Sequence, residues 1–397
     1  MRTRTILLWA AVLPAACGRL PLHEIPTTPS TTASEQPQGS DATNDWIRNR
    51  IDSTLKANDV PALSIGIVRA GKVSLLAGFG WQDRSEKKRV SEKTLYQIAS
   101  QTKMFTGLIV NNLATEGKLN VEDYMVKCLP NGLTHQTKDK LKNITIKDLL
   151  HHRAGFPSRA PSDRRVDGDP MVAEYTEQDL LTDLNALELE SQPDPRFSYS
   201  NFGYAVVGYI CEKASRQAYA TLVKQYVARR YGLSNTVVYP TGEQLARVAW
   251  PYRKDDRAVK SAPWRMGKLT AAGGGYSTAE DLTAVMAEQL KAYRLYEGKG
   301  SKSPLVVTED TNTSWDNCRY GFGFAKSIKP DDTVLYGHGG DLDGYASGYA
   351  FSPEKNMGLV LLTSSGGRWF GQLEKAITQK LLQEYRIKHP VASVQDK

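Results

Sequence analysis

The sequence predicts an α+β fold: an antiparallel sheet built from both ends of the folded chain and flanked by helices, with a mainly helical lobe inserted between. Three observations point there. Each end of the folded region carries a helical period beside a strand hairpin, the middle is poor in strand signals, and 397 residues exceed a comfortable single core.

Ile47, Ile51 and Leu55 recur every four residues, which reads as an amphipathic helix over 44–57. Two apolar runs, Leu63 to Val68 and Val73 to Ala77, are separated by Arg69-Ala70-Gly71-Lys72, a hairpin signal. Between 129 and 267 the helical runs 144–151 and 203–214 stand out. Further on, Ser277-Thr278-Ala279-Glu280 reads as a capping box that starts a helix at Thr278, fed by a tight turn at Gly273-Gly274-Gly275. Gly344 to Phe351 and Met357 to Thr363 flank Ser352-Pro353-Glu354-Lys355-Asn356, a second hairpin, and Phe370, Leu373, Ile377 and Leu381 mark a last helix. The expected sheet lobe is thus 44–128 with 268–397, and the helical lobe is 129–267. Clefts at such boundaries are the usual place for a site.

Hydrophobic residues make up 40 % and charged residues 24 %, which excludes a mostly disordered chain, a collagen-like chain and a polytopic membrane protein. Residues 1–17 read as an export segment. Arg2 and Arg4 precede an apolar run of eight, Ile6 to Leu13, and Pro14-Ala15-Ala16-Cys17 follows. Small residues before a cysteine look like a lipoprotein cleavage site with Cys17 as the lipidated residue, which predicts membrane anchoring through Cys17. The alternative is an ordinary secretory signal cut near Ala16 to Gly18. Residues 18–43 hold Pro21, Pro26, Pro29 and Pro37 with many Thr and Ser, a flexible spacer. The expected location is therefore the bacterial periplasm. Cleavage would remove Arg2 and Arg4 from a net charge of +8, and the charge runs at 84–89 and 253–257 mix both signs, so no nucleic-acid partner is expected. Cys128, Cys211 and Cys318 allow at most one disulfide, and neither they nor the six histidines, including adjacent His151 and His152, show metal-ligand spacing. No cofactor is expected.

G-x-S-x-G, H-E-x-x-H and the phosphate-loop pattern are absent. Ser-x-x-Lys occurs at Ser53, Ser85, Ser100 and Ser352, and context separates the four. Only Ser100-Gln101-Thr102-Lys103 follows an apolar approach, Leu95 to Ala99, and opens a helical run with Met104, Leu108, Ile109 and Leu113 apolar. Positions three apart share a helix face, so Ser100 and Lys103 can touch. A nucleophilic serine needs a base, and burial and a helix N-terminus both favour a neutral lysine. Tyr199-Ser200-Asn201 sits on a loop entering another helical run, where a phenol can relay a proton and an amide can orient Lys103 and a substrate carbonyl. His338-Gly339-Gly340 precedes the second hairpin. Its glycines let a substrate backbone approach, and a cation-capable His338 could hold Tyr199 or a substrate carboxylate.

In order and context these three motifs resemble the serine β-lactamase and penicillin-binding superfamily, in its class C β-lactamase-like branch with D-alanyl-D-alanine carboxypeptidase, D-aminopeptidase and esterase members. The resemblance runs over roughly 46–385 and includes the connecting text at 117–119, 144–155, 197–204 and 272–278. It implies that the fold is β-lactamase/transpeptidase-like, that Ser100 is the acylated nucleophile and that Lys103 is its proton partner. It further implies that Tyr199 is the general base, that Asn201 positions Lys103 and substrate, and that His338, Gly339 and Gly340 line one cleft wall. The backbone N–H groups of Ser100 and Asp341 would form the oxyanion hole. Lactamases of this branch carry Lys-Thr-Gly at the third motif, so His-Gly-Gly points toward carboxypeptidase, aminopeptidase or esterase chemistry. A small peptide, ester or β-lactam substrate is expected. The competing expectation is a non-catalytic relative that binds cell-wall peptides or a partner. Loops 153–170 and 298–318 are expected to help set specificity.

Overall fold

The computed structural model describes residues 41–388 apart from 130–131, 163–174, 191–195, 297–310, 314–317 and 330. The expected export segment, Cys17, the spacer up to residue 40 and parts of the loops 153–170 and 298–318 lie outside the described residues. From Asp41 onward the chain forms one compact unit.

Helix α1 (Ala42–Ala57) starts two residues ahead of the expected period because the Asp41 carboxylate caps it, accepting from the N–H groups of Thr43 and Asn44. Strands β1 (Ala62–Arg69) and β2 (Lys72–Asp83) form the first hairpin, turning through Ala70 and Gly71, both at positive φ as a two-residue turn of this kind needs. After β3 (Lys88–Arg89) and β4 (Tyr96–Gln97) come the helices α2 (Thr102–Thr115), α3 (Met125–Cys128), α4 (His135–Leu141), α5 (Ile146–Leu150), α6 (Glu177–Ala186), α7 (Asn201–Ser215), α8 (Tyr219–Val223) and α9 (Thr270–Gly273). Among the described residues no strand falls between 129 and 267. Strand β5 (Tyr276–Ser277) pairs with β4 in a separate ribbon, and α10 (Ala279–Tyr296) follows. The chain then runs through β6 (Thr311–Asn312), β7 (Cys318–Gly321), β8 (Phe324–Ile328), β9 (Val334–Leu342), β10 (Tyr345–Ser352), β11 (Met357–Thr363) and α11 (Arg368–Lys388).

The main sheet has nine antiparallel strands in the order β3-β2-β1-β11-β10-β9-β8-β7-β6. Both chain ends therefore build its centre: β1 pairs β11 from Leu63 opposite Thr363 to Arg69 opposite Met357. On one face, Ile47, Ile51 and Leu55 of α1 and Leu373, Ile377 and Leu381 of α11 bury Leu63, Ile65, Leu359 and Leu361. On the other, α10 crosses β1 so closely that a Cβ at Gly66 would lie 1.8 Å from Thr283 Oγ1. A single hydrophobic core runs from that face through α2, α5, α7 and α8, so the sheet and the helical region share one interior.

The N-cap of α10 is Thr278, one residue later than the sequence suggests, and it caps from one side only. Thr278 Oγ1 accepts from the Asp281 N–H at 3.1 Å, while the Asp281 carboxylate turns away to accept from the Asn235 N–H and the Thr236 hydroxyl. Cys128, Cys211 and Cys318 are free thiols.

Candidate active site

Ser100 does not open α2. It lies in a short turn, Ala99–Gln101, just ahead of it. Ala99 has φ +47°, a left-handed conformation that costs a residue with a side chain about 1–3 kcal/mol. Tertiary contacts hold the turn. The Thr102 hydroxyl donates to the Ala99 carbonyl at 2.7 Å and accepts from the Gly275 N–H at 3.0 Å. The Ile98 N–H donates to the Gly275 carbonyl, and the Ser347 hydroxyl of β10 donates to the Ile98 carbonyl at 2.7 Å. The glycine stretch 273–275 is thus more than a tight turn. It lies against the serine's turn, and a Cβ at Gly275 would come within 2.9 Å of Thr102 Oγ1.

Lys103 is 0 % exposed. Its Nζ donates to Ser100 Oγ at 3.0 Å, to Asn201 Oδ1 at 2.7 Å and to the Ala272 carbonyl at 2.6 Å. Three acceptors around Nζ suit the three N–H bonds of an ammonium, so the site holds Lys103 charged and not as the neutral amine that burial and a helix N-terminus suggested. Ser100 also shares a hydrogen bond with the Tyr199 phenol. Burial holds that phenol well above the usual tyrosine range, partly offset by the bond from Ser100, so it rests protonated. Hydrogen bonds thus connect Lys103 through Ser100 to the Tyr199 oxygen.

Tyr199 is placed by a residue that sequence reasoning passed over. His152 Nδ1 accepts from the Ser200 N–H at 3.0 Å, and its carbonyl accepts from the Ser198 N–H at 2.7 Å. Its buried ring packs on Tyr199, Tyr320 and Tyr204 at centroid distances of 4.4, 4.7 and 5.0 Å. Burial, then the Lys103 charge, keeps His152 well below the usual histidine range, and a neutral imidazole is what an accepting Nδ1 requires. Ser200 then caps α7, its hydroxyl accepting from the Gly203 N–H and donating to the Pro157 carbonyl, which sets Asn201 in the first turn facing Lys103. A search for metal-ligand spacing could not find His152. The only sequence sign was its place in the 144–155 segment.

His338, Gly339, Gly340 and Asp341 on β9 line a cleft of about 680 Å³ with Ser100 and Tyr199. Strand β8 pairs with β9 only as far as Gly337, so among the described residues 338–342 have no strand beside them on that side. Gly340 is bare for a reason: a Cβ there would lie 2.4 Å from the Ile98 carbonyl and 2.8 Å from Ala99 Cβ. His338 differs from the expectation of a cation holding Tyr199 or a carboxylate. Its ring bonds the Tyr320 hydroxyl at 3.1 Å and the Gly339 carbonyl, and burial, then the Lys103 charge, pulls its pKa down to about 3. The Tyr199 and His338 ring centroids are 6.3 Å apart. Neutral His338 can donate from Nδ1 to Gly339 and accept at Nε2 from Tyr320, a partner that no motif indicated. Among the described residues no cluster of metal-ligating side chains occurs.

The Beta-lactamase family profile matches residues 47–382, and the chain belongs to that family, within the serine-hydrolase superfamily of β-lactamases and penicillin-binding proteins. The chain is 28 % identical over 345 residues to "Protein flp" of Staphylococcus aureus, covering 87 % of this chain and 67 % of that one. It is 25 % identical to a Salmonella paratyphi A protein named "Putative D-alanyl-D-alanine carboxypeptidase", covering 84 % of this chain and 85 % of that one. A penicillin-binding protein homologue from Pyrococcus abyssi, described as octameric, shares the fold with a TM-score of 0.70 at 24 % identity, over 86 % of this chain and 77 % of its own.

Two outcomes follow. Gly340→Ala should push β9 from the serine's turn and cost about 1–3 kcal/mol in urea unfolding, with slower modification of Ser100. His338 is neutral in folded and unfolded chains above about pH 6.5, whereas below that only the unfolded chain takes up the proton. Stability should therefore fall as pH drops from about 6.5 toward 3, and His338→Gln should show a shallower fall in urea midpoints measured at pH 7, 5 and 4.

Proposed function

We propose that the protein is an exported serine hydrolase that cleaves amide or ester bonds through an acyl-enzyme, of the D-alanyl-D-alanine carboxypeptidase-like or esterase type rather than an efficient β-lactamase. The observation that carries this reading is the chain Lys103–Ser100–Tyr199, with Lys103 Nζ at 3.0 Å from Ser100 Oγ and the serine hydroxyl hydrogen-bonded to the Tyr199 phenol. The reacting state is the minority form in which Tyr199 has given its proton to solvent and the Lys103 charge stabilises the phenolate; Ser100 Oγ attacks the carbonyl carbon as the serine proton moves to that phenolate. The substrate oxygen takes its charge facing the N–H groups of Ser100 and Asp341, each such donor being worth ~2.7–4 kcal/mol. Tyr199 then returns the proton to the leaving amine or alcohol, and water resolves the ester. D-amino-acid peptides of cell-wall type come first as substrates, then small esters, then β-lactams. A neutral His338 supplies no permanent charge for a β-lactam carboxylate, which supports that order.

The Arg2–Cys17 segment and the Pro-rich spacer support export, with anchoring through lipid on Cys17. In that reading Cys17→Ser abolishes incorporation of radiolabelled fatty acid and globomycin causes the precursor to accumulate. A protein released into the periplasmic fraction without lipid label would leave an ordinary secretory signal.

A fluorophosphonate should add one adduct to the purified protein by intact mass, at Ser100, and Ser100→Ala should abolish it. Tyr199→Phe should slow labelling by an ester substrate or a fluorescent penicillin roughly 10²–10⁴-fold. An unlabelled wild type would favour the non-catalytic binding module.

A further inference from the structure

Glu374 of α11 lines the Ser100 cleft, although α11 packs on the opposite face of the sheet from the serine's turn. It also lines a second, larger groove of about 1220 Å³ between α11 and strands β8 and β9, and Ala325, His338 and Gly339 are shared by both. The two spaces therefore adjoin at Gly339, with Glu374 at the junction.

The sheet makes room for this carboxylate. A Cβ at Gly348 would lie 2.6 Å from Glu374 Oε1. Gly348 stands directly opposite Gly339 in the β9–β10 register, and a Cβ at Gly339 would meet nothing closer than the Ser347 carbonyl at 3.8 Å. On the helix, Gly371, one turn before Glu374, meets nothing within 4 Å. The carboxylate thus sits over Gly348, and the space above Gly339 beside it is open toward the Ser100 cleft.

Among the described residues Glu374 makes no hydrogen bond or ion pair. Burial pushes its carboxyl up to about 6, and the Lys329 charge offsets this in part. The other charges facing these spaces are otherwise engaged or exposed. Arg386 pairs with Asp331, Lys380 lies over the Trp46 ring at 5.6 Å, Lys254 is 3.9 Å from Asp341, and Lys375 and Arg368 are exposed. A desolvated carboxylate without a donor is costly, and a cationic donor from outside removes that cost.

We propose that Glu374 is a specificity-determining residue that receives a primary ammonium group of the substrate, laid across Gly339 from the Ser100 cleft. The substrate class is then acyl compounds or peptides with an amine on an unbranched chain beyond the reacting carbonyl. This rests on the serine-hydrolase reading above.

The test uses two fluorophosphonates with the same six-carbon chain, one ending in an ammonium and one in a hydroxyl, reacted with the full chain at pH 7.5. The ammonium probe should label Ser100 roughly tenfold to hundredfold faster, the size of a charge-assisted hydrogen bond. Glu374→Gln should bring the ratio of the two rates near one, and Glu374→Asp should keep part of it. A ratio near one in the wild type, or a ratio preserved in Glu374→Gln, overturns the proposal. If neither probe labels Ser100, the hydrolase reading fails by itself, and calorimetry with 1,6-diaminohexane decides the site. Binding lost in Glu374→Gln supports it, and no binding to wild type overturns it. Thermal melts establish that each variant is folded.

Discussion

The structure depends on one buried cation. A lysine ammonium withdrawn from water costs several kcal/mol unless every N–H is satisfied. Lys103 meets that demand with acceptors from three separate segments: the serine's turn, the first turn of α7 and the end of α9. Each acceptor has its own support. Asn201 requires the Ser200 cap, Ser200 requires His152 and the Pro157 carbonyl, and Ala272 requires α9 to pack against α2 and α7. The apolar core that helices and sheet share holds these acceptors in place, and a looser arrangement would leave the ammonium with unpaired N–H bonds.

The same charge sets the electrostatics of the cleft. It lies 5.0 Å from the Tyr199 ring centroid and adds to burial in keeping His152 and His338 neutral. A second cation on the third motif would face Lys103 in a site that already excludes water from much of its wall. With histidine there, the ring instead bonds Tyr320 and the strand's own carbonyl. With His338 neutral, Lys103 supplies the positive charge next to Ser100 Oγ, which suits a reaction in which a phenolate and an oxyanion develop close by.

What the sequence made legible was local or periodic. The Ile47, Ile51, Leu55 period, both hairpins and the last helix record which face is buried and where the chain turns, and they placed both chain ends in one sheet. Ser100, Lys103, Tyr199 and Asn201 were legible because three short motifs kept their order and context. The supporting residues were not. Ala99 carries no mark of its left-handed backbone, Ala272 contributes only a carbonyl, and His152 and Tyr320 act by ring packing and single hydrogen bonds from segments distant in sequence. The missing reciprocal bond at the start of α10 has the same origin, since the Asp281 carboxylate is drawn to Asn235 and Thr236 by tertiary contact. His338 was legible as a position, but its charge state needed the distance to Lys103 and the burial around it.

The open edge of β9 follows from the same helix. Strands β7 and β8 form a hairpin that turns through Phe322 and Gly323, both at positive φ. The turn is pressed against α2: a Cβ at Gly323 would lie 2.1 Å from the Lys103 carbonyl, and a Cβ at Gly107 would lie 1.9 Å from the Phe322 carbonyl. The hairpin cannot extend past the helix that carries the lysine, so β8 stops where β9 still has 338–342 to run. An uncovered strand edge normally invites pairing with another chain. Here it lies beside Ser100, where an extended substrate can add its own backbone as the missing strand. The lysine that anchors the interior is thus carried on the element that keeps the substrate's edge free.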